Sequence, residues 1–350
     1  MHRIASRRLL LPALAISAVL LVGGCRSTGE PVTDSAQLLG TILRIAIHDR
    51  NVDPDVTDRV FARVKEIEQR MSTTEEDYDT TELLEVNRAA GQQAVRVSED
   101  TFTVLERARY YSRITDGAFD VTIWPLVRLW GIGSERAAVP DEERLADVQA
   151  AVDYTRLELD ADTRSVFLPE AGMGVDVGAI AKGYAADEAE RILREDGVEH
   201  ALLDFGGNIL VIGNKTDGSP WRIGVQRPDA ERTRYIGIIS VVDRTVVTSG
   251  PYERFFVEEG VRYHHILDPS TGFPARNGLQ QVTIVARNSM DADALSTSIY
   301  VLGLDAGREL VESLNDIEAV FVSDSREVYL SSGAAELFDL TDEEFTIVES

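Results

Sequence analysis

Cysteine is nearly absent from this chain. Cys25 is the only one in 350 residues, so no internal disulfide can form. Basic residues are short as well: 35 Lys and Arg stand against 60 Asp and Glu, a formal charge of −25. That deficit excludes a general nucleic-acid binder, because phosphate backbones demand basic surface. A polyanionic face serves solubility, or a salty habitat. No internal repeat and no regular strand–helix alternation runs through the sequence. Their absence argues against a doubly wound sheet and for an α+β fold, a mostly antiparallel mixed sheet with packed helices. The GxxxxGK[ST] spacing of a Walker loop is missing. What is present is a globular apolar fraction of 44%, enough for one large domain or two ordinary ones.

The long apolar run lies at the start. Arg3, Arg7 and Arg8 form a basic head, and Leu9 to Val22 an apolar core too short to span a membrane, the layout of an export signal. It ends in Val22-Gly23-Gly24-Cys25, which resembles the lipobox of bacterial lipoproteins; the alternative is a plain secretory signal that contains a cysteine. On the lipobox reading, residues 1–24 are a signal peptide and Cys25 is lipidated, which leaves no thiol for catalysis. The product is then a lipid-anchored membrane lipoprotein on the periplasmic side of the cell envelope, and in a Gram-negative cell Arg26 in place of an aspartate favours the outer membrane. Residues 25–37 are polar with Gly and Pro and are expected to form a tether. Residues 38–335 make the folded domain, and 336–350 an acidic, weakly structured tail.

The stretch Val175 to Asp187, VDVGAIAKGYAAD, runs from an apolar strand-like entry through a glycine into a helix. A helix entry offers unpaired N–H groups and partial positive charge, which suits a phosphate or a hydrogen-bonding ring. Lys182 would add a full charge there. The competing account is an ordinary amphipathic helix, with Asp176 near its cap and Lys182 in solvent.

Elsewhere, alternation predicts a strand over Thr41 to Ile47. Val56, Val60, Val64, Ile67 and Met71 form one helical stripe after Asp55, and Met71 is either its last core residue or a first ligand contact. Between Asp116 and Gly131, the Gly117 turn and Pro125 are expected to break regular structure. The aromatic rings there are then displayed on a loop or edge, or plugged into the core. Gly206 and Gly207 separate two strands, leaving Asn208 as a polar contact or a turn residue. His264 and His265 are neighbours on a strand, so at most one faces a given site. Asp293 and Thr297 are four apart on a helix and share a face.

The segments DGAFDVTIWPLVRLWG, VDVGAIAKGYAAD, LLDFGGNILVIG, VVTSGPYERFF, HHILDPSTGFPA and DADALSTS occur in the order found in the ApbE family, the FAD:protein FMN transferases, which this chain resembles from about Leu43 to Ser331. Pro251 departs from the family, which usually has a polar residue before the tyrosine. The resemblance implies an ApbE-like, T-fold-related architecture and an enzyme that moves FMN from FAD to a threonine of envelope flavoproteins, releasing AMP, with Mg²⁺. It implies acceptors with a Ser/Asp-Gly-Ala-Thr type motif.

Position by position, the resemblance places Met71, Ala118, Phe119, Asp120, Asp176, Lys182 and Leu267 on FAD. It gives Mg²⁺ the carbonyl of Ala179 and the side chains of Asp293 and Thr297. Such hard oxygen ligands suit Mg²⁺ and leave room for phosphate. His265 is the expected base for the attacking hydroxyl, since imidazole titrates near working pH; the alternative is a strand histidine bonded to backbone. Asp268 is expected to cap the turn that follows. A hydrolase splitting FAD into FMN and AMP, and a non-catalytic flavin-binding lipoprotein, are the other readings.

Overall fold

A computed structural model describes residues 31–74, 78–228 and 234–348. The expected signal peptide, residues 1–24, and Cys25 lie outside the described residues. Strand β1 (Val32–Leu38) pairs antiparallel with β2 (Thr41–Ile47). The tether expected to reach Gln37 therefore gives way to a strand at Val32. The polar composition misleads because β1 is the edge of the sheet and exposed along most of its length, where no apolar alternation is needed.

Helix α1 (Val56–Met71) buries the predicted stripe of Val56, Val60, Val64, Ile67 and Met71. Helix α2 (Glu82–Arg88) follows, capped by the Thr81 hydroxyl, which accepts the Leu84 N–H at 3.1 Å. Then come β3 (Val95–Arg96) and α3 (Glu99–Ile114), the latter capped by Ser98. The next segment corrects the expectation of broken structure: α4 (Trp124–Trp130) is a helix with Pro125 in its first turn, where the missing N–H costs nothing. Its Trp130 is fully buried, and Trp124 lies against Gly174, so these rings pack on protein. Helix α5 (Glu142–Gln149) and strands β4 (Glu158–Asp160) and β5 (Ser165–Phe167) complete this part, with β3, β5 and β4 forming a small antiparallel sheet.

Helix α6 (Ala181–Glu195) leads to the hairpin of β6 (Ala201–Phe205) and β7 (Asn208–Ile212). Gly206 and Gly207 both have positive φ, 68° and 93°, which is why a two-residue turn fits here. Strands β8 (Trp221–Gln226), β9 (Tyr235–Val241) and β10 (Arg244–Ser249) come next, then the hairpin of β11 (Phe255–Glu258) and β12 (Val261–His264). The chain continues through β13 (Leu279–Ala286), α7 (Ser289–Leu302), α8 (Leu304–Ser313), β14 (Glu318–Ser323) and β15 (Glu327–Leu330). It ends with β16 (Phe338–Leu340) and β17 (Thr346–Ile347).

Nine strands form the main sheet in the order β1-β2-β6-β7-β10-β13-β14-β15-β17. Every pairing in it is antiparallel except β15 with β17, so the α+β expectation holds. Side chains alternate across this sheet as a period of two requires. On β7, Leu210 and Ile212 join the core beneath helices α1, α3, α6 and α7, while Val211 joins a second core on the other face. A three-stranded sheet, β16-β9-β8, covers that second face. The supposedly weak tail supplies part of it: Phe338 and Phe345 are buried, and two large rings outweigh the acidic residues around them.

Candidate active site

The entry to α6 is built on a tight turn. Asp176 receives the Gly178 N–H at 2.8 Å and the Thr73 hydroxyl at 2.5 Å, and its own N–H donates to Val121 O at 2.9 Å. It is not the helix cap, which is Ile180 and makes no side-chain cap bond. Asn87 holds the preceding residue from both sides: its amide oxygen accepts the Val175 N–H at 2.7 Å and its amide nitrogen donates to Val175 O at 3.0 Å. The turn is thereby fixed, and one N–H in the first turn of α6, that of Gly183, points to α7.

Asp293 on α7 meets that entry. It is 3% exposed and accepts the Gly183 N–H at 3.0 Å. The Lys182 ammonium donates to both its oxygens, at 3.2 and 3.4 Å, and to Gly178 O at 3.2 Å. Lys182 is therefore half-buried and paired, not free in solvent. Thr297, one turn after Asp293, lies with its hydroxyl 3.3 Å from Ser249 Oγ, which also bonds Ser296 Oγ at 2.8 Å. Ser249, at the end of β10, carried no role in the sequence reading. The signal was its place in VVTSGPYERFF, one of the ordered segments.

The donor types gathered here fit a divalent cation in kind. Lys182 Nζ is a positive charge held by a carboxylate and a main-chain carbonyl, and Ala179 is the next residue of the same turn. Carboxylate, hydroxyl and carbonyl are the hard oxygens that Mg²⁺ takes while keeping places for water and phosphate. Among the described residues, no group of three or more His, Cys, Asp or Glu side chains converges as an all-side-chain cage.

The two histidines separate as expected of neighbours. His264 is buried, with Nε2 bonded to Ala275 O at 2.9 Å. His265 is exposed, and its Nδ1 lies 3.3 Å from Arg254 O. A carbonyl only accepts, so Nδ1 carries the proton and Nε2 presents its lone pair. Surrounding protein atoms, then the Arg254 charge, lower the His265 pKa, and the Lys182 charge reaches it too. Asp268 accepts from Ser270 N at 2.8 Å and Ser270 Oγ at 2.7 Å, so it caps its turn.

The other candidates stand deeper. Met71 lies in the main core, and the polar Ser72 and Thr73 follow it into the turn with Asp176. Leu267 is in a small core with Leu126, Trp130 and Leu145. Trp130 Nε1 donates to Gly272 O at 2.7 Å, and Phe256 and Tyr263 of the β11–β12 hairpin stack beside the same ring. Phe119 is buried and Ala118 half-buried. Asp120 receives Thr122 N at 2.7 Å, Thr122 Oγ1 at 2.6 Å and Tyr154 N at 3.1 Å; desolvation raises its pKa despite those bonds. Its carboxylate shapes the loop that places Val121 beside Asp176. Asn208 is fully buried and accepts the Ser289 hydroxyl at 2.6 Å, so it is a contact to the start of α7 and not a turn residue.

The chain is similar to known proteins over most of its length. A FAD:protein FMN transferase of Klebsiella pneumoniae is 36% identical over 318 residues, 90% of this chain and 96% of its own length. One of Treponema pallidum is 34% identical over 344 residues, 93% of this chain and 94% of its own. The solved ApbE protein of Thermotoga maritima superposes with a TM-score of 0.81 at 32% identity, covering 88% of this chain and 99% of that one. The flavin transferase ApbE of Vibrio cholerae gives 0.79 at 30%, with the same coverage. The family match runs over residues 39–321 and so takes in the Asp176 turn, the Lys182 entry, His265 and Asp293 together: the chain belongs to the ApbE family.

Proposed function

We propose that this protein is a FAD:protein FMN transferase, moving FMN from FAD to a flavoprotein acceptor with release of AMP. The observation that carries the reading is Lys182 held between Gly178 O and the buried Asp293, an ammonium and a carboxylate gathered at a helix entry, the parts that a metal-bound pyrophosphate needs. Asp293, Thr297 and the Ala179 carbonyl would hold Mg²⁺, which when bound withdraws charge from the phosphates. Asp176 and Lys182 orient FAD at the same entry, with Met71, Ala118, Phe119, Asp120 and Leu267 forming or backing the flavin side.

The acceptor is a threonine hydroxyl within a Ser/Asp-Gly-Ala-Thr type sequence. Its oxygen forms a bond to the FMN-side phosphorus, and the bond from that phosphorus to the bridging oxygen breaks. AMP leaves with the electron pair. The hydroxyl proton goes to His265 Nε2, which is free because Nδ1 is tied to Arg254. The lowered His265 pKa favours the neutral base at pH 7. Lys182 offsets negative charge that builds on the departing phosphate.

The sequence context supports an envelope location: residues 1–24 act as a signal peptide and Cys25 is lipidated, placing the domain on the periplasmic face. Replacing Cys25 by Ala should abolish labelling by fatty acid in cells. The activity test is incubation with FAD, Mg²⁺ and an acceptor peptide. Covalent flavin on the peptide, one AMP per flavin, is expected; free FMN and AMP without labelled peptide would make the protein an FAD hydrolase instead.

A further inference from the structure

Asp187 ends the VDVGAIAKGYAAD stretch and has no part in the reading so far. It lies on α6, four residues after Gly183. Its two oxygens accept the backbone N–H groups of Ser289 at 2.7 Å and Met290 at 2.9 Å, the first residues of α7. Asp293 lies four residues after Ser289 and accepts the Gly183 N–H near the start of α6 at 3.0 Å. Each helix therefore gives a carboxylate to amides in the other's first turn, the groups a helix leaves unpaired.

The junction between them has no slack. A Cβ on Gly183 would come within 2.2 Å of Ser289 O and 2.6 Å of Met290 Cα. From β7, Asn208 holds the Ser289 hydroxyl. From α3, Arg107 grips Asp291 through Nε at 2.6 Å and Nη2 at 2.7 Å. Burial pushes the Asp187 carboxyl up to about 7, with its two backbone bonds opposing and Glu190 and Asp291 adding to the rise. A carboxylate kept in such a place is held by the amides it binds.

We propose that Asp187 is a positioning residue for the transfer reaction: it pins the start of α7 to α6 and so sets Asp293 and Thr297 at their working distance from Lys182. The inference rests on the proposed transferase reading. Asp187→Asn keeps the shape but offers one of the two amides an NH₂ group in place of an acceptor. It should lower kcat at least tenfold while changing the KM for FAD less than about threefold. In the same variant, the Mg²⁺ concentration that gives half of the thermal stabilisation of the FAD-loaded protein should rise at least fivefold. Asp187→Glu, which retains the carboxyl group and displaces it by one methylene, should show the same pattern.

A lower Tm with kcat and the Mg²⁺ midpoint within twofold of wild type would overturn the proposal, as would loss of folding in both variants, since Asp187 would then be structural only. A wild-type protein that neither transfers FMN nor is stabilised by FAD and Mg²⁺ would overturn the transferase reading instead.

Discussion

Gly183 and Asp293 are 110 residues apart in the chain, yet the backbone N–H of the first donates to the carboxylate of the second at 3.0 Å. The same carboxylate receives Lys182. One donor is fixed in a helix and the other is the end of a flexible side chain, so Asp293 can exchange one partner without losing its place. A cation arriving with FAD would meet an acid that is already oriented.

Replacing Asp293 by Ala removes the acceptor of a buried N–H, at a cost of about 1–3 kcal/mol, and leaves Lys182 without its carboxylate. FMN transfer should fall by about 10²-fold or more, with the circular dichroism of a folded protein retained. Transfer within tenfold of wild type would take Asp293 out of the chemistry.

Gly183→Ala tests the helix junction itself. The new methyl meets backbone, which cannot swing aside, so overpacking should cost about 1–3 kcal/mol and lower the Tm. The distance from Lys182 to Asp293 would grow with it, and transfer should drop about tenfold. An unchanged melting curve would show that α6 and α7 have room to spare.

His265 should set the acid limb of the rate. Its lowered pKa means the neutral form persists as pH falls, so kcat/KM should begin to decline only below the ordinary imidazole value of about 6.5. His265→Ala should lose that limb together with roughly 10²- to 10⁴-fold of rate. A pH profile with the same limb in the variant would assign it to another group.

His264 makes the matching prediction for stability. Burial, opposed by its bond to Ala275 O, lowers its pKa to about 4. A folded-state pKa below the unfolded one favours folding while the ring is neutral. That contribution is complete above about pH 6.5 and is lost as pH falls toward 4, a change of at most about 3 kcal/mol. Denaturant melts between pH 4 and 7 should show this slope in wild type and a flatter one in His264→Gln.

Much of this was legible in residue order. The α1 stripe and the β2 alternation appear in the structure where the periodicities put them, because both elements bury one face against the main core. Asp293 and Thr297 share a helix face as their spacing of four requires. Local patterns could not show Val32–Leu38 as a strand, since an edge strand is recognised by its partner β2 and not by its own side chains. Pro125 looked like a break because its position in a helix, first turn or interior, depends on where that helix starts. Phe338 and Phe345 were hidden by acidic neighbours, although a single ring facing a sheet is enough to seat a short segment. Asp187 was invisible for another reason: its partners are backbone amides 102 and 103 residues away, which no side-chain motif records.

The edge strand has a consequence for reach. With Cys25 as the lipid-bearing residue, only residues 26–31 remain between the anchor and Val32, where β1 begins. Six residues fully extended span roughly 20 Å, about half of what a leash running to Gln37 would allow. If that proposed anchor holds, the domain works close against the bilayer and meets its flavoprotein acceptor at the membrane surface.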